Sequence, residues 1–153
     1  MDPARKGDGA LPPVVALCRD LVRIPSVSGG EGRLSAFVAE RMEAIGLRVE
    51  TDRYGSVLGC RDGERPGPTL LLDAHLDTVP VPDPAAWSHD PFGGEITEGR
   101  LRGRGAADTK GSLAAMLCAA EALEGFTGTL LVSASVGEED LTTAALSHVL
   151  DRH

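Results

Sequence analysis

Two short, unbroken apolar runs constrain this chain more than any other feature: Thr69-Leu70-Leu71-Leu72-Asp73-Ala74 and the stretch Gly128–Ser135. Runs of this length, entered from Gly- and Pro-containing loops, read as strands buried on both faces of a sheet. Between them, Leu113–Leu123 is an Ala/Leu/Met-rich helix ended by Gly125. Strands that alternate with helices in this way predict a layered α/β domain.

The remaining periodicities fit that frame. Val14, Leu17, Cys18, Leu21 and Val22 recur at helical spacing across Pro13–Ile24, and Pro25-Ser26-Val27-Ser28-Gly29-Gly30 breaks the pattern. A second helix is expected over Glu31–Ile45, with Leu34, Phe37, Val38, Met42 and Ile45 on one stripe and Gly46 as its stop. Leu47–Thr51 alternates as a strand, and the turn Asp52–Gly55 leads into another around Ser56–Arg61. A loop with four prolines covers Val79–Gly94, a small hairpin turns at Glu98-Gly99, and a last helix begins at Leu141. Residues 1–12 read as a disordered leader of Gly, Pro and charge, and residues 13–153 as one domain without internal repeats.

Composition enters as a filter. A length of 153 residues, with 42% apolar and 25% charged side chains, suits one globular domain with a real core. The formal charge of −8 argues against a nucleic-acid partner, which needs clustered Lys and Arg. No apolar run approaches the roughly 20 residues of a membrane span, and the first residues lack a signal peptide's apolar stretch. Cys18, Cys60 and Cys118 are odd in number and far apart, which predicts buried thiols in a reducing cytoplasm.

Chemistry gathers where the strands end. His75-Leu76-Asp77 follows the first apolar run, Gly137-Glu138-Glu139 follows the second, and Gly103–Asp108 precedes the Leu113–Leu123 helix. Ligands of open α/β sheets bind beyond the carboxyl ends of strands, so these loops are candidates to converge. Each is weak alone: Asp108 has the position of a helix N-cap, and Glu138-Glu139 of a solvated acidic pair. Together they make a donor set for two divalent cations, which repel one another and need a bridging anion and terminal ligands. In that reading His75 holds one ion, Glu139 the other, and Asp108 bridges. Asp77, two residues from His75, accepts the second imidazole N–H. Glu138 remains as an unligated carboxylate, a general base for a metal-activated water.

These residues also carry a resemblance. Leu71–Pro80, Trp87-Ser88-His89-Asp90-Pro91-Phe92-Gly93-Gly94, Gly103–Gly111 and Gly137-Glu138-Glu139 stand in the order of four motifs of one family. They resemble the acetylornithine deacetylase, succinyl-diaminopimelate desuccinylase and carboxypeptidase family of dinuclear zinc amidohydrolases. The resemblance runs from about residue 13 to the end, and Glu138-Glu139-Asp140 departs from the commoner Asp-Glu-Glu wording. It implies a three-layer α/β/α catalytic domain, here only its N-terminal portion, with no lid domain. It implies the same roles for His75, Asp77, Asp108, Glu138 and Glu139, and a cis peptide between Asp108 and Thr109. It implies two metal ions, zinc with cobalt or manganese as alternatives, and hydrolysis of an N-acyl amino acid or small peptide. Full-length members pair as homodimers through the lid. They also draw a further carboxylate and a histidine from beyond the paired glutamates, so residues 1–153 alone are expected to bind metal weakly and to be nearly inactive. The competing expectation is a non-catalytic fragment, or one half of a two-chain enzyme. A related dinuclear aminopeptidase family shares the His-x-Asp and paired-glutamate pattern, but the Gly103–Gly111 run argues against it.

Overall fold

The two apolar runs lie side by side. In the computed structural model, which describes residues 10–140 and 144–152, they form β3 (Arg65–His75) and β6 (Thr127–Ser135), paired in parallel from Leu70 opposite Leu130 to His75 opposite Ser135. On its other side β6 takes β2 (Val57–Asp62) antiparallel, and β2 takes β1 (Arg48–Thr51), giving the order β1-β2-β6-β3. The small hairpin of β4 (Glu95–Thr97) and β5 (Arg100–Arg102) stands apart as a two-stranded sheet.

Among the described residues four α-helices pack with these strands: α1 (Pro13–Val22), α2 (Gly32–Ala44), α3 (Gly111–Ala122) and α4 (Ala144–Arg152). Pro13 opens α1, where its missing N–H costs nothing. The Pro12 carbonyl accepts the N–H groups of Val15 and Ala16. The end of α2 closes with Gly46 N–H on Glu43 O and Leu47 N–H on Met42 O, the paired bonds of a Schellman motif. The β1–β2 turn hangs on Asp52, whose Oδ1 accepts the N–H groups of Tyr54, Gly55 and Ser56, each at 2.9 Å. Residues 1–9 of the expected leader, and the start of the last helix at 141–143, lie outside the described residues.

Because successive side chains on a strand point to opposite faces, the sheet separates two cores. Val57, Leu130, Val132 and Ala134 face α1, α2 and α3, and join Leu21, Leu34, Val38, Met42, Leu113 and Leu117 in a cluster with almost no exposed surface. On the opposite face Leu58 and Leu131 pack with Val149 of α4 in a much smaller cluster. The layers are therefore helix, sheet, helix. Arg61 ties the large layer to the sheet by donating to the carbonyls of Ala120, Leu123 and Ile45, which end α3 and α2.

One expectation is corrected. β3 is not covered on both faces: Leu70 is 56% exposed, and Leu71 and Leu72 are half-buried. Among the described residues β3 is an edge strand, with β6 as its one hydrogen-bonded neighbour. An apolar run has the same spelling whether its second neighbour is present or not. β6, central in the sheet, meets the expectation, with Leu130 to Ser135 all buried.

Candidate metal centre

The parallel pairing of β3 and β6 sets His75 and Ser135 side by side at the carboxyl end of the sheet. His75 is 9% exposed. Two residues beyond Ser135, Gly137 turns the chain so that Glu138 and Glu139 return over the end of β3. The third loop, Gly103–Lys110, closes as a five-residue π-type turn, Ala106–Lys110, against the start of α3, and its Asp108–Thr109 peptide is cis.

The three loops meet on one imidazole. His75 Nε2 lies 3.0 Å from Asp108 Oδ1 and 3.8 Å from Glu138 Oε2. His75, Asp108 and Glu139 each bring one ligand atom into a group spanning at most 4.8 Å, the one such group of three among the described residues. The other ring nitrogen, Nδ1, is 2.9 Å from the Asp77 main-chain carbonyl. That contact requires Nδ1 to carry a proton, which leaves Nε2 as the ligating atom. Burial pushes the His75 pKa down. The Asp108 hydrogen bond, the Asp77 carbonyl and the charges of Asp77 and Glu138 outweigh it and leave His75 raised. A cation is therefore favoured at Nε2: a proton in the bare protein, and by the same charges a divalent metal, whose binding releases that proton. An imidazole nitrogen with two carboxylates is a donor set that zinc and its neighbours accept. The set fits a metal.

The expected clamp is built differently. His75 is held by the Asp77 carbonyl, while the Asp77 carboxylate stands 3.6 Å from Nδ1, beyond hydrogen-bond range. That carboxylate, only 1% exposed, accepts Glu138 N–H at 3.1 Å, Glu139 N–H at 2.9 Å and the Ser28 hydroxyl at 2.8 Å. The Gly137 turn offers two consecutive N–H groups in one direction, and a buried carboxylate satisfies both. Burial pushes the Asp77 carboxyl up, but these donors, Glu139 N–H foremost, hold it below the usual range.

Comparison with known proteins gives the family and the fold. Residues 71–152 match the profile of Peptidase family M20/M25/M40. The chain belongs to that family. Over 112 residues it is 44% identical to a succinyl-diaminopimelate desuccinylase of Methylorubrum populi, covering 69% of this chain and 29% of the relative. The fold matches an M20 metallo-carboxypeptidase of Sulfolobus solfataricus at a TM-score of 0.81 and 22% identity, over 93% of this chain and 34% of the other. It also matches a dinuclear metal-binding M20 peptidase of Bacillus subtilis at 0.66 and 18%, over 90% and 38%. The chain thus spans about 29% of the length of the curated relative.

Two further residues of this family member support the centre and were not singled out in the sequence. Ser28 reads there only as part of a helix breaker. Lys110 stands in the Gly103–Gly111 motif with no role assigned to it, yet it is 1% exposed and donates to Ile24 O at 2.7 Å. Burial lowers its pKa to about 8, against a smaller upward pull from Cys18. Gly105 lets the loop wrap this lysine, and Gly103 lets it pass close to Val22 of α1. A Cβ on Gly103 would lie 2.4 Å from Val22 Cγ1; one on Gly105, at φ +77°, would lie 2.7 Å from Thr78 Cγ2 and 3.3 Å from Lys110 Cδ. His89 and His148 stay out of the ligand group, with their rings against Trp87 and Tyr54. A cavity of about 320 Å³ adjoins His75, lined by Asp73, Thr109, Ser135, Glu138 and Leu146 among others. A larger one of about 410 Å³, beside Glu31 and Tyr54, contains none of the ligand group.

Proposed function

We propose that the polypeptide carrying this sequence is a metal-dependent hydrolase that cleaves an amide bond in an N-acyl amino acid or small peptide. The observation that carries this reading is the convergence of His75, Asp108 and Glu139 within 4.8 Å at the end of the sheet. The name of the Methylorubrum relative, a succinyl-diaminopimelate desuccinylase, supports the N-acyl class. His75 would hold one divalent ion and Glu139 a second, with Asp108 as the carboxylate shared between them. Zinc suits these donors best, with cobalt or manganese as substitutes. When bound, the ions supply Lewis acidity for the amide carbonyl and for the attacking water.

The chain's own residues do the rest. The Asp77 carbonyl fixes the ring orientation of His75. The Asp77 carboxylate fixes the turn that presents Glu138 and Glu139. Glu138 is not in the ligand group, and its side chain is 60% exposed toward the open side of the site. It takes the proton of the attacking water as general base, and returns it to the leaving amine as the C–N bond breaks. Each ion would gain two ligands from this set, one terminal and the shared Asp108, whereas zinc sites ordinarily have three or four protein ligands. The described residues by themselves would therefore make a weak metal site. Three unpaired cysteines suit the cytoplasm as its compartment.

The test is hydrolysis of N-succinyl and N-acetyl amino acids by the native polypeptide. Activity abolished by a chelator and restored by zinc or cobalt is expected. Hydrolysis that survives complete metal removal, or none in the metal-loaded protein on any N-acyl amino acid or dipeptide, overturns the reading.

A further inference from the structure

The segment joining α1 to α2 is bonded directly to two of the three loops of the candidate centre. Ile24 O receives Lys110 Nζ, from the loop that carries Asp108. The Ser26 hydroxyl donates to Leu76 O at 2.8 Å, and Ser26 O accepts Thr78 N–H at 2.9 Å. Val27 forms a parallel bridge with Thr78. These bonds lay residues 24–28 alongside residues 76–78 as a short strap. They deliver the Ser28 hydroxyl to Asp77 Oδ2 at 2.8 Å.

From there the connection runs outward. Asp77 Oδ2 also accepts Glu139 N–H, and Oδ1 accepts Glu138 N–H. Rotation of a carboxylate about its last torsion is soft, so its plane is set by its donors. Ser28 is the one donor in this group delivered by a separate, internally bonded segment. Without its hydroxyl, each carboxylate oxygen keeps one N–H donor, and both of those donors belong to the turn itself.

We infer that Ser28 is a positioning residue: through the Asp77 carboxylate it holds the Glu138–Glu139 turn in the orientation that the hydrolytic centre needs. The link to hydrolysis rests on the function proposed above; the link to the turn does not.

Hydrogen exchange at single amides of the metal-free native polypeptide tests the link to the turn. Ser28→Ala is expected to speed exchange at the Glu138 and Glu139 amides about ten-fold, with the core amides of α1 and β6 unchanged. Ser28→Thr, which keeps the hydroxyl, is expected to restore protection. Unchanged exchange at Glu138 and Glu139, acceleration throughout the molecule, or a threonine variant as fast as the alanine variant would each overturn the inference. Cobalt titration, read from the visible absorption of the bound ion, tests the link to the centre. Loss of a partner behind the ligands is expected to weaken binding about 10- to 100-fold in Ser28→Ala and little in Ser28→Thr. Equal affinity in Ser28→Ala and the parent would remove Ser28 from the centre. A parent protein that binds no cobalt while its exchange pattern shifts as expected defeats the metal reading and leaves the positioning of the turn standing.

Discussion

The two faces of the four-stranded sheet are unlike. Toward α1, α2 and α3 the sheet shows Val57, Leu130, Val132 and Ala134, sealed under Leu21, Leu34, Val38, Met42, Leu113 and Leu117. Toward α4 it shows Leu58 and Leu131, then Ser133 and Ser135 on β6 and Asp73 and His75 on β3. The sealed face contributes most of the buried apolar area, hence most of the stability, and Arg61 on it is satisfied by the carbonyls that end α2 and α3. The other face holds a small apolar cluster and, at the carboxyl ends of its strands, the imidazole on which the ligand loops converge. Stability and chemistry have been assigned to opposite sides of the same strands. A side chain moved by one residue along β3 or β6 would change its task altogether.

Substitutions that separate the two faces test this division. The largest effect is expected from Glu138→Gln, which removes the proposed base and keeps its shape: kcat should fall about 10²- to 10⁴-fold. Its melting temperature should match the parent's, and a matching loss of stability would contradict the separation. On the sealed face, Leu117→Ala should cost about 2–5 kcal/mol by denaturant titration, since Leu117 is fully buried. Cobalt affinity measured on the folded fraction should not change; a shift would mean that the core reaches the centre.

Lys110 sharpens the boundary, because it is a charge inside the sealed side. Its folded pKa of about 8 lies below the ordinary 10.5, so between those values the unfolded chain carries the extra proton. Stability of the metal-free protein should therefore rise with pH across that window, by at most about 3 kcal/mol. Below pH 8 both states are protonated and the full cost of burying the ammonium is felt. Lys110→Met should abolish the rise; a parent protein whose stability is flat or falls from pH 8 to 10 contradicts a buried ammonium. The smallest effect belongs to the α4 face. Val149→Ala trims the small cluster and should cost about 1–2 kcal/mol. A loss as large as that of Leu117→Ala would show the two faces to be equal partners.

Much of this was legible in the sequence. The stripes of α1 and α2, the alternation of β1 and the apolar run of β6 each report a local period that the fold preserves. His75, Asp108 and Glu139 were legible because their residue types, at the ends of predicted strands and before a helix, complete one donor set. What was not legible depends on contacts distant in the chain. The exposure of Leu70 depends on whether a neighbour stands beyond β3, which a run of leucines does not record. The His-x-Asp spacing brings both the carbonyl and the carboxylate of Asp77 near the ring, and only the Glu138–Glu139 turn decides between them. Ser28 is 49 residues from Asp77, and Lys110 is 86 from Ile24; neither position has a local pattern that announces its partner.

The most direct test of the centre is X-ray anomalous scattering at the zinc edge from crystals of the native polypeptide grown with zinc. Anomalous density between His75 Nε2 and the carboxylates of Asp108 and Glu139, lost in His75→Ala, is the expected result. Density elsewhere with none beside His75, in a protein that hydrolyses N-acyl amino acids, would contradict the assignment of these three residues as its metal ligands.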